Sequence, residues 1–123
     1  MKNILFLFVI IASAFTVNAQ EQESAVLLSL SEFKTLIEGQ NVQLIDVRTP
    51  EEFQEGHIEG AINIDFFSED FENQFKELDK EQPVYVYCRS GARSKKSALK
   101  LSEMGFLKIY DLEGGILNYN KKE

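Results

Sequence analysis

Ten residues, Tyr85-Val86-Tyr87-Cys88-Arg89-Ser90-Gly91-Ala92-Arg93-Ser94, hold the only cysteine of the chain. A thiol attacks poorly until it is deprotonated, so what surrounds it decides whether it reacts. Pro83 opens a run of β-branched and aromatic residues, Val84 to Tyr87, that suits a strand buried on both faces of a parallel sheet. Cys88 comes where the run stops. A tight loop with Gly91 follows, and then Ala98, Leu101 and Met104 at helical spacing. Gly105 stands where a left-handed helix cap belongs, with Phe106 behind it to pack on the last turn. The thiol therefore sits between the C-terminal end of a strand and the N-terminal end of a helix. Backbone N–H groups converge there, and the helix dipole favours negative charge.

Charge points the same way. Gln82 to Ser102 contains no acidic residue, yet Arg89, Arg93, Lys95, Lys96 and Lys100 are all cationic, in a chain of formal charge −7. Cations in a first helical turn oppose the dipole, and a local rule broken in this way marks a functional site. The block is suited to holding an anion: a thiolate, an anionic substrate, or both. The competing reading is a small cysteine buried in the core.

The elements that must position these residues fit one domain. At 123 residues, 27% charged and 44% hydrophobic, the chain has the balance of a globular protein. Net acidity, with no basic face beyond the local block, argues against nucleic acid as a partner. Residues 1–19 read as a secretory signal peptide: Lys2, an apolar run from Ile4 to Val17, and a cleavage-like Val17-Asn18-Ala19. The run is short for a membrane span. Export to the periplasm or the medium is expected, with no stable membrane insertion once the signal is removed; retention as an anchor is the other reading. Oxidising compartments pair cysteines, and a lone one is either buried and inert or kept for reaction.

Residues 20–25 form a polar lead-in, and 26–120 the folded domain. Ser29-x-x-Glu32 is a capping box, with Leu28 and Phe33 as its staple, opening a short helix that Gly39 ends. Val42 to Val47 is a strand with Asp46 and Arg48 at its C-terminal end. Thr49-Pro50-Glu51-Glu52 starts a second helix that stops at Gly56. A turn and a short strand through Ile62 to Ile64 follow. Ser68 caps a third helix with Glu69 and Asp70 in its first turn and Phe71, Phe75 and Leu78 buried. Lys108 to Leu112 is the last strand, and Gly114-Gly115 turns into a terminal helix over Ile116 to Tyr119. Strands alternating with helices imply an α/β fold: a mainly parallel sheet of about five strands, with helices on both faces. Ligands bind such sheets beyond the C-terminal strand ends, which makes Cys88 and Asp46 candidates for one site.

The loop Cys-Arg-Ser-Gly-x-Arg-Ser after an apolar strand resembles the active-site loop of rhodanese-like sulfurtransferases. Leu44 to Phe53, Gly56-His57-Ile58, Gly60-Ala61 and Asn63-Ile64 resemble the upstream signature of that family, and Gly114-Gly115-Ile116 its C-terminal one. The match runs from about Leu27 to Tyr119; Tyr119 stands near where the family usually has a tryptophan. The resemblance implies a single-domain, exported sulfurtransferase. Cys88 would take a sulfane sulfur from an anionic donor such as thiosulfate, carry it as a persulfide, and pass it to cyanide or a thiol, including a protein thiol. The loop of Arg89, Ser90, Gly91, Ala92 and Arg93 would curl its N–H groups around the sulfur, with Arg93 closing the loop and, with Arg89, holding the donor. Asp46 and Arg48 are read as supports that orient the loop, and His57 as a turn-stabilising residue. One histidine and one cysteine make no metal site, and no cofactor is implied. Two alternatives stand beside this: an idle rhodanese-like binding module, which typically lacks the cysteine, and a cysteine-dependent phosphatase, whose loop has five residues between cysteine and arginine where this chain has four.

Overall fold

The computed structural model describes residues 25–121. The signal peptide expected over 1–19 and the lead-in as far as residue 24 lie outside them. Five strands, β1 (Ala25–Leu28), β2 (Gln43–Asp46), β3 (Ile62–Asn63), β4 (Val84–Tyr87) and β5 (Ile109–Leu112), form one sheet in the order β1-β5-β4-β2-β3. Every pairing is parallel. The helices are α1 (Leu30–Ile37), α2 (Pro50–Glu55), α3 (Phe71–Phe75), α4 (Ala92–Glu103) and α5 (Gly115–Tyr119). The α/β class and the helix-flanked parallel sheet are as the alternating pattern predicts.

The alternation along β4 builds both halves of the core. Val84, Val86 and Cys88 face one side, where Phe71 and Phe75 of α3 and Ala98 and Leu101 of α4 cover them. Tyr85 and Tyr87 face the other, under Phe33 and Ile37 of α1 and Ile116 of α5. β4 is buried throughout, as its apolar sequence requires. The order also fixes where a ligand site must lie. From β2 the chain steps outward to β3, then crosses back to β4 on the other side of β2, so the switch point at which such sheets bind ligands lies at the C-terminal ends of β2 and β4.

Local signals place most helix ends. Ser29 and Thr49 each cap a helix in a reciprocal box, with Glu32 and Glu52, and Pro50 takes the first turn of α2. The end of α4 is a Schellman motif: Phe106 N–H donates to Leu101 O at 3.1 Å and Gly105 N–H to Ser102 O at 3.1 Å, with Gly105 at φ 97°.

Two expectations need correcting. Ala25 is not the end of a lead-in but the first residue of β1, which pairs with β5 along Ala25–Leu28. The segment has no alternation of its own, because Val26 and Leu27 remain exposed at the sheet edge. The third helix begins later than Ser68: its N-cap position is Asp70, and Ser68 instead accepts the Asp70 N–H at 3.1 Å in the preceding turn. Glu69 and Asp70 thus precede α3, and Leu78 packs against the core from beyond its end.

Candidate active site

Cys88 follows β4 directly and is 1% exposed. The chain turns sharply after it, reaches Gly91 at φ 115°, and enters α4 at Ala92. That turn brings the Gly91 N–H to 3.1 Å from Sγ, donating to the sulfur. Ser94, in the first turn of α4 and wholly buried, sets its hydroxyl oxygen 3.4 Å from the same sulfur.

The loop is held open for this from behind. Ile116 N–H donates to Cys88 O at 2.9 Å and Leu117 N–H to Arg89 O at 3.2 Å, so the first turn of α5 takes up the carbonyls that would otherwise compete for the loop amides. The approach is close enough that a Cβ at Gly115 would collide with the Arg89 carbonyl and press on Cys88 O; Gly115 also sits at φ 63°. The sequence marks Gly114-Gly115 as a turn. The second glycine is in fact where one backbone packs directly on that of Cys88 and Arg89.

The loop cations divide. Arg93 gives Nη1 to Glu52 Oε1 at 2.6 Å and Nη2 to Glu52 Oε2 at 3.0 Å, a bidentate pair reaching from α4 to α2. The pair holds the Glu52 carboxyl down at about 2, chiefly through the Arg93 hydrogen bonds and against the effect of burial, while the Arg93 guanidinium is raised by Glu52. Glu52 therefore does two jobs, capping α2 and anchoring the loop arginine; only the first is written in its local sequence. Arg89 and Lys96 are exposed, and no ion pair among the described residues involves them. Lys100 points away, with its ammonium 5.1 Å from the Phe66 ring centroid. Of the two arginines read as donor-holding, Arg89 has its charge unspent and Arg93 is bound to a carboxylate.

Asp46 and Arg48 lie beside the loop at the end of β2, where Val47 N–H donates to Tyr87 O at 3.0 Å. Asp46 Oδ1 accepts from the Arg48 backbone N–H at 2.9 Å, and Oδ2 accepts from Nη2 at 2.7 Å. Arg48 Nη2 also donates to Gly56 O at 2.6 Å. Both side chains are almost fully buried and face each other, which makes them a brace between β2 and the end of α2. Asn63, unremarked in the sequence, ties the same corner by donating to Asp46 O at 3.0 Å and Arg48 O at 2.8 Å. Tyr87 accepts the Ile58 N–H at 3.0 Å, and burial pushes its phenol up. His57 bonds Phe53 O through Nδ1 at 2.9 Å and stacks on the Phe53 ring, in the turn after α2.

The arrangement is one buried sulfur at a strand–helix junction, with a backbone donor and a hydroxyl on it, an exposed arginine at the next position that makes no ion pair among the described residues, and its loop pinned from two sides. Known proteins are similar over the stretch that holds this site. Residues 29–122 match the profile of the rhodanese-like domain. The thiosulfate sulfurtransferase GlpE of Shewanella oneidensis is 34% identical over 88 residues, which cover 72% of this chain and 85% of that protein. The tRNA uridine(34) hydroxylase of Cytophaga hutchinsonii is 38% identical over 95 residues, but the shared region is only 30% of that longer protein. Among solved structures, the rhodanese-like domain protein from Staphylococcus aureus superposes with a TM-score of 0.67 at 29% identity, covering 78% of this chain and 92% of its own. The profile match spans nearly all of the folded chain, the loop around Cys88 included, and the chain belongs to the rhodanese-like family.

Proposed function

We propose that the chain is a sulfurtransferase that carries sulfane sulfur on Cys88, taking it from a small anionic donor such as thiosulfate and giving it to cyanide or a thiol. The observation that carries this reading is the Gly91 N–H aimed at Sγ at 3.1 Å, in a loop whose Cys88 and Arg89 carbonyls are tied off by α5. A donor so placed favours negative charge on sulfur, both in the thiolate and in the persulfide that follows it.

The two half-reactions balance as follows. The Cys88 thiolate attacks the outer sulfur of thiosulfate; the new S–S bond forms as the old one breaks, and sulfite leaves with the electron pair. An acceptor thiolate or cyanide then attacks the outer sulfur of the persulfide, and the electron pair returns to Cys88 Sγ. Arg89, unpaired at the loop surface, draws in the donor, while Arg93 holds the loop in shape through Glu52. Asp46 and Arg48 keep the end of β2 in place beneath it. The thiosulfate sulfurtransferase among the relatives, matched over 85% of its length, supports the choice of donor.

Because Cys88 is the only cysteine, intact-mass measurement reads the intermediate without ambiguity. Incubation with thiosulfate adds one sulfur atom, excess cyanide removes it, and Cys88→Ser takes up none. An unchanged mass with thiosulfate and with other sulfane donors would leave the fold as a binding module.

A further inference from the structure

One buried ionisable group has no part in the steps above. Asp111 lies on β5 between Val86 of β4 and Leu27 of β1, on the face covered by α4, and is 5% exposed. Its Oδ1 is buried with no hydrogen-bond donor among the described residues. A carboxyl kept in that condition costs free energy that an asparagine or an apolar side chain would avoid. Its neighbour is Ser94. The Ser94 hydroxyl, wholly buried in the first turn of α4, lies 3.4 Å from Cys88 Sγ and in the resting state donates its one hydrogen to Gly91 O at 3.2 Å, which leaves the Asp111 oxygen without it. Sulfur and hydroxyl are in contact at the end of β4, and the carboxyl stands on β5 on the same face of the sheet, the one that α4 covers. The carboxyl borders a cavity of about 500 Å³ lined by Leu27, Ser90, Lys95, Leu99, Asp111 and Glu113.

We propose that Asp111 is a positioning residue for the nucleophile: through Ser94 it takes up the Cys88 proton when the thiolate forms. The assignment deepens the sulfur-transfer reading and rests on it. In the step, the Cys88 S–H bond breaks and its proton passes to Ser94 Oγ. The hydroxyl hydrogen of Ser94, turned from Gly91 O, passes to the unpartnered Asp111 oxygen. The products are a thiolate, an intact serine and a neutral carboxylic acid, with no net change in charge. The cavity then gives the proton a route to water on a side lined by Lys95 and Glu113. Burial raises the Asp111 carboxyl to about 6, against the pull of the Ser94 hydroxyl, the Leu112 amide and the Lys95 ammonium. At neutral pH it is mostly ionised yet holds a proton far better than a surface aspartate, the balance wanted of a proton acceptor. The charged and titratable groups around it are few: Lys95 from α4, Glu113 from the end of β5, and Cys88 itself; β1 and β4 flank it with Leu27 and Val86.

The test is the pH profile of two reactions of the full chain: single-turnover sulfur uptake from thiosulfate, and alkylation of Cys88 by uncharged iodoacetamide. For the wild type, both rates rise through the titration of Asp111 near 6. Asp111→Asn loses that limb and slows both reactions at neutral pH by a factor on the order of ten to a hundred. Ser94→Ala does the same, Ser94→Thr restores the limb, and the double variant is no slower than either single one. A merely electrostatic carboxylate predicts the opposite sign, since removing a buried negative charge makes the thiolate easier to form. Faster alkylation in Asp111→Asn, or an unchanged profile, therefore overturns the assignment, as does a Ser94→Thr protein that behaves like Ser94→Ala. The serine pair keeps the test decisive even should the asparagine variant fail to fold. A wild type that takes no sulfur defeats the sulfur-transfer reading alone, and the alkylation profiles still decide the relay.

Discussion

Replacing Glu52 by Gln separates the two jobs of that side chain. Glutamine at the third position of a helix still completes a capping box, so the start of α2 at Thr49 survives the change. What is lost is the bidentate pair with Arg93, at 2.6 and 3.0 Å. The size of that loss follows from the carboxyl itself, held at about 2 against an ordinary 4.5. Taken at face value this is about 3 kcal/mol at about 1.4 kcal/mol per pH unit. The two side chains are 20% and 26% exposed, however, so water and salt screen them. A cost of about 1–2 kcal/mol is the better figure for such a pair. For a domain of this size that lowers Tm by very roughly 5–15 °C. The sign of the pH dependence is fixed. A depressed carboxyl stabilises the fold above its ordinary value near 4.5 and loses that contribution as pH falls towards about 2. Melting curves of wild type and Glu52→Gln should therefore be well separated at neutral pH and converge in acid. A double-mutant cycle with Arg93→Gln should return a coupling of about 1–2 kcal/mol at neutral pH. A gap that persists unchanged into acid, or a coupling near zero, would show that Arg93 is not held by Glu52 and would free it to bind donor instead.

Three further outcomes follow from the same geometry, and a fourth from the sequence. Gly115→Ala drives a methyl group into the Cys88–Arg89 backbone at a left-handed φ, so it should abolish sulfur uptake and cost roughly 2–4 kcal/mol in denaturant unfolding. Arg89→Gln removes the exposed loop charge and should raise KM for thiosulfate several-fold, whereas Lys96→Gln, seven residues on and exposed on α4, should matter only at low salt. Asp111, raised from 3.8 to about 6, favours the fold fully below the lower value and loses that contribution as pH rises through the higher one; wild type should lose up to about 3 kcal/mol relative to Asp111→Asn over that window in equilibrium unfolding. We also propose that the chain is exported, on Lys2, the apolar run to Val17 and Val17-Asn18-Ala19, so protein recovered from the native cell envelope should begin at Gln20, and an intact Met1 on membrane-bound material would replace export with anchoring.

The elements easiest to see in the sequence are those whose cause is local. Capping boxes at Ser29 and Thr49, the Gly105 cap with Phe106 behind it, and the four apolar residues of β4 each carry their reason within a few positions, and each forms where that reason predicts. β1 is different. Its partner is β5, more than eighty residues away, and its exposed Val26 and Leu27 give no alternation to recognise. The start of α3 was obscured by competition between Ser68 and Asp70 for the same turn, two good capping types two residues apart.

The site shows the same division, and it changes the physical account of the nucleophile. Five cations and no acid between Gln82 and Ser102 read, within that window, as an uncompensated positive cradle. Folding supplies the missing acids from outside the window. Glu52 of α2 takes Arg93, Asp111 of β5 lies behind Ser94, and the rings of Phe66 and Phe71 attract Lys100. The positive field at the sulfur is therefore weaker than the count of cations suggests, and the short-range contacts matter more: the Gly91 N–H donating to Sγ at 3.1 Å and the Ser94 hydroxyl oxygen accepting from it at 3.4 Å. Those two contacts depend on backbone placement, which Gly115 permits by letting α5 close on the Cys88 and Arg89 carbonyls. Charge in a sequence window shows that an anion site is plausible; only the fold shows which charges remain to act on it. Here that is Arg89 at the surface, with a hydrogen-bonded sulfur beneath it and a carboxyl behind.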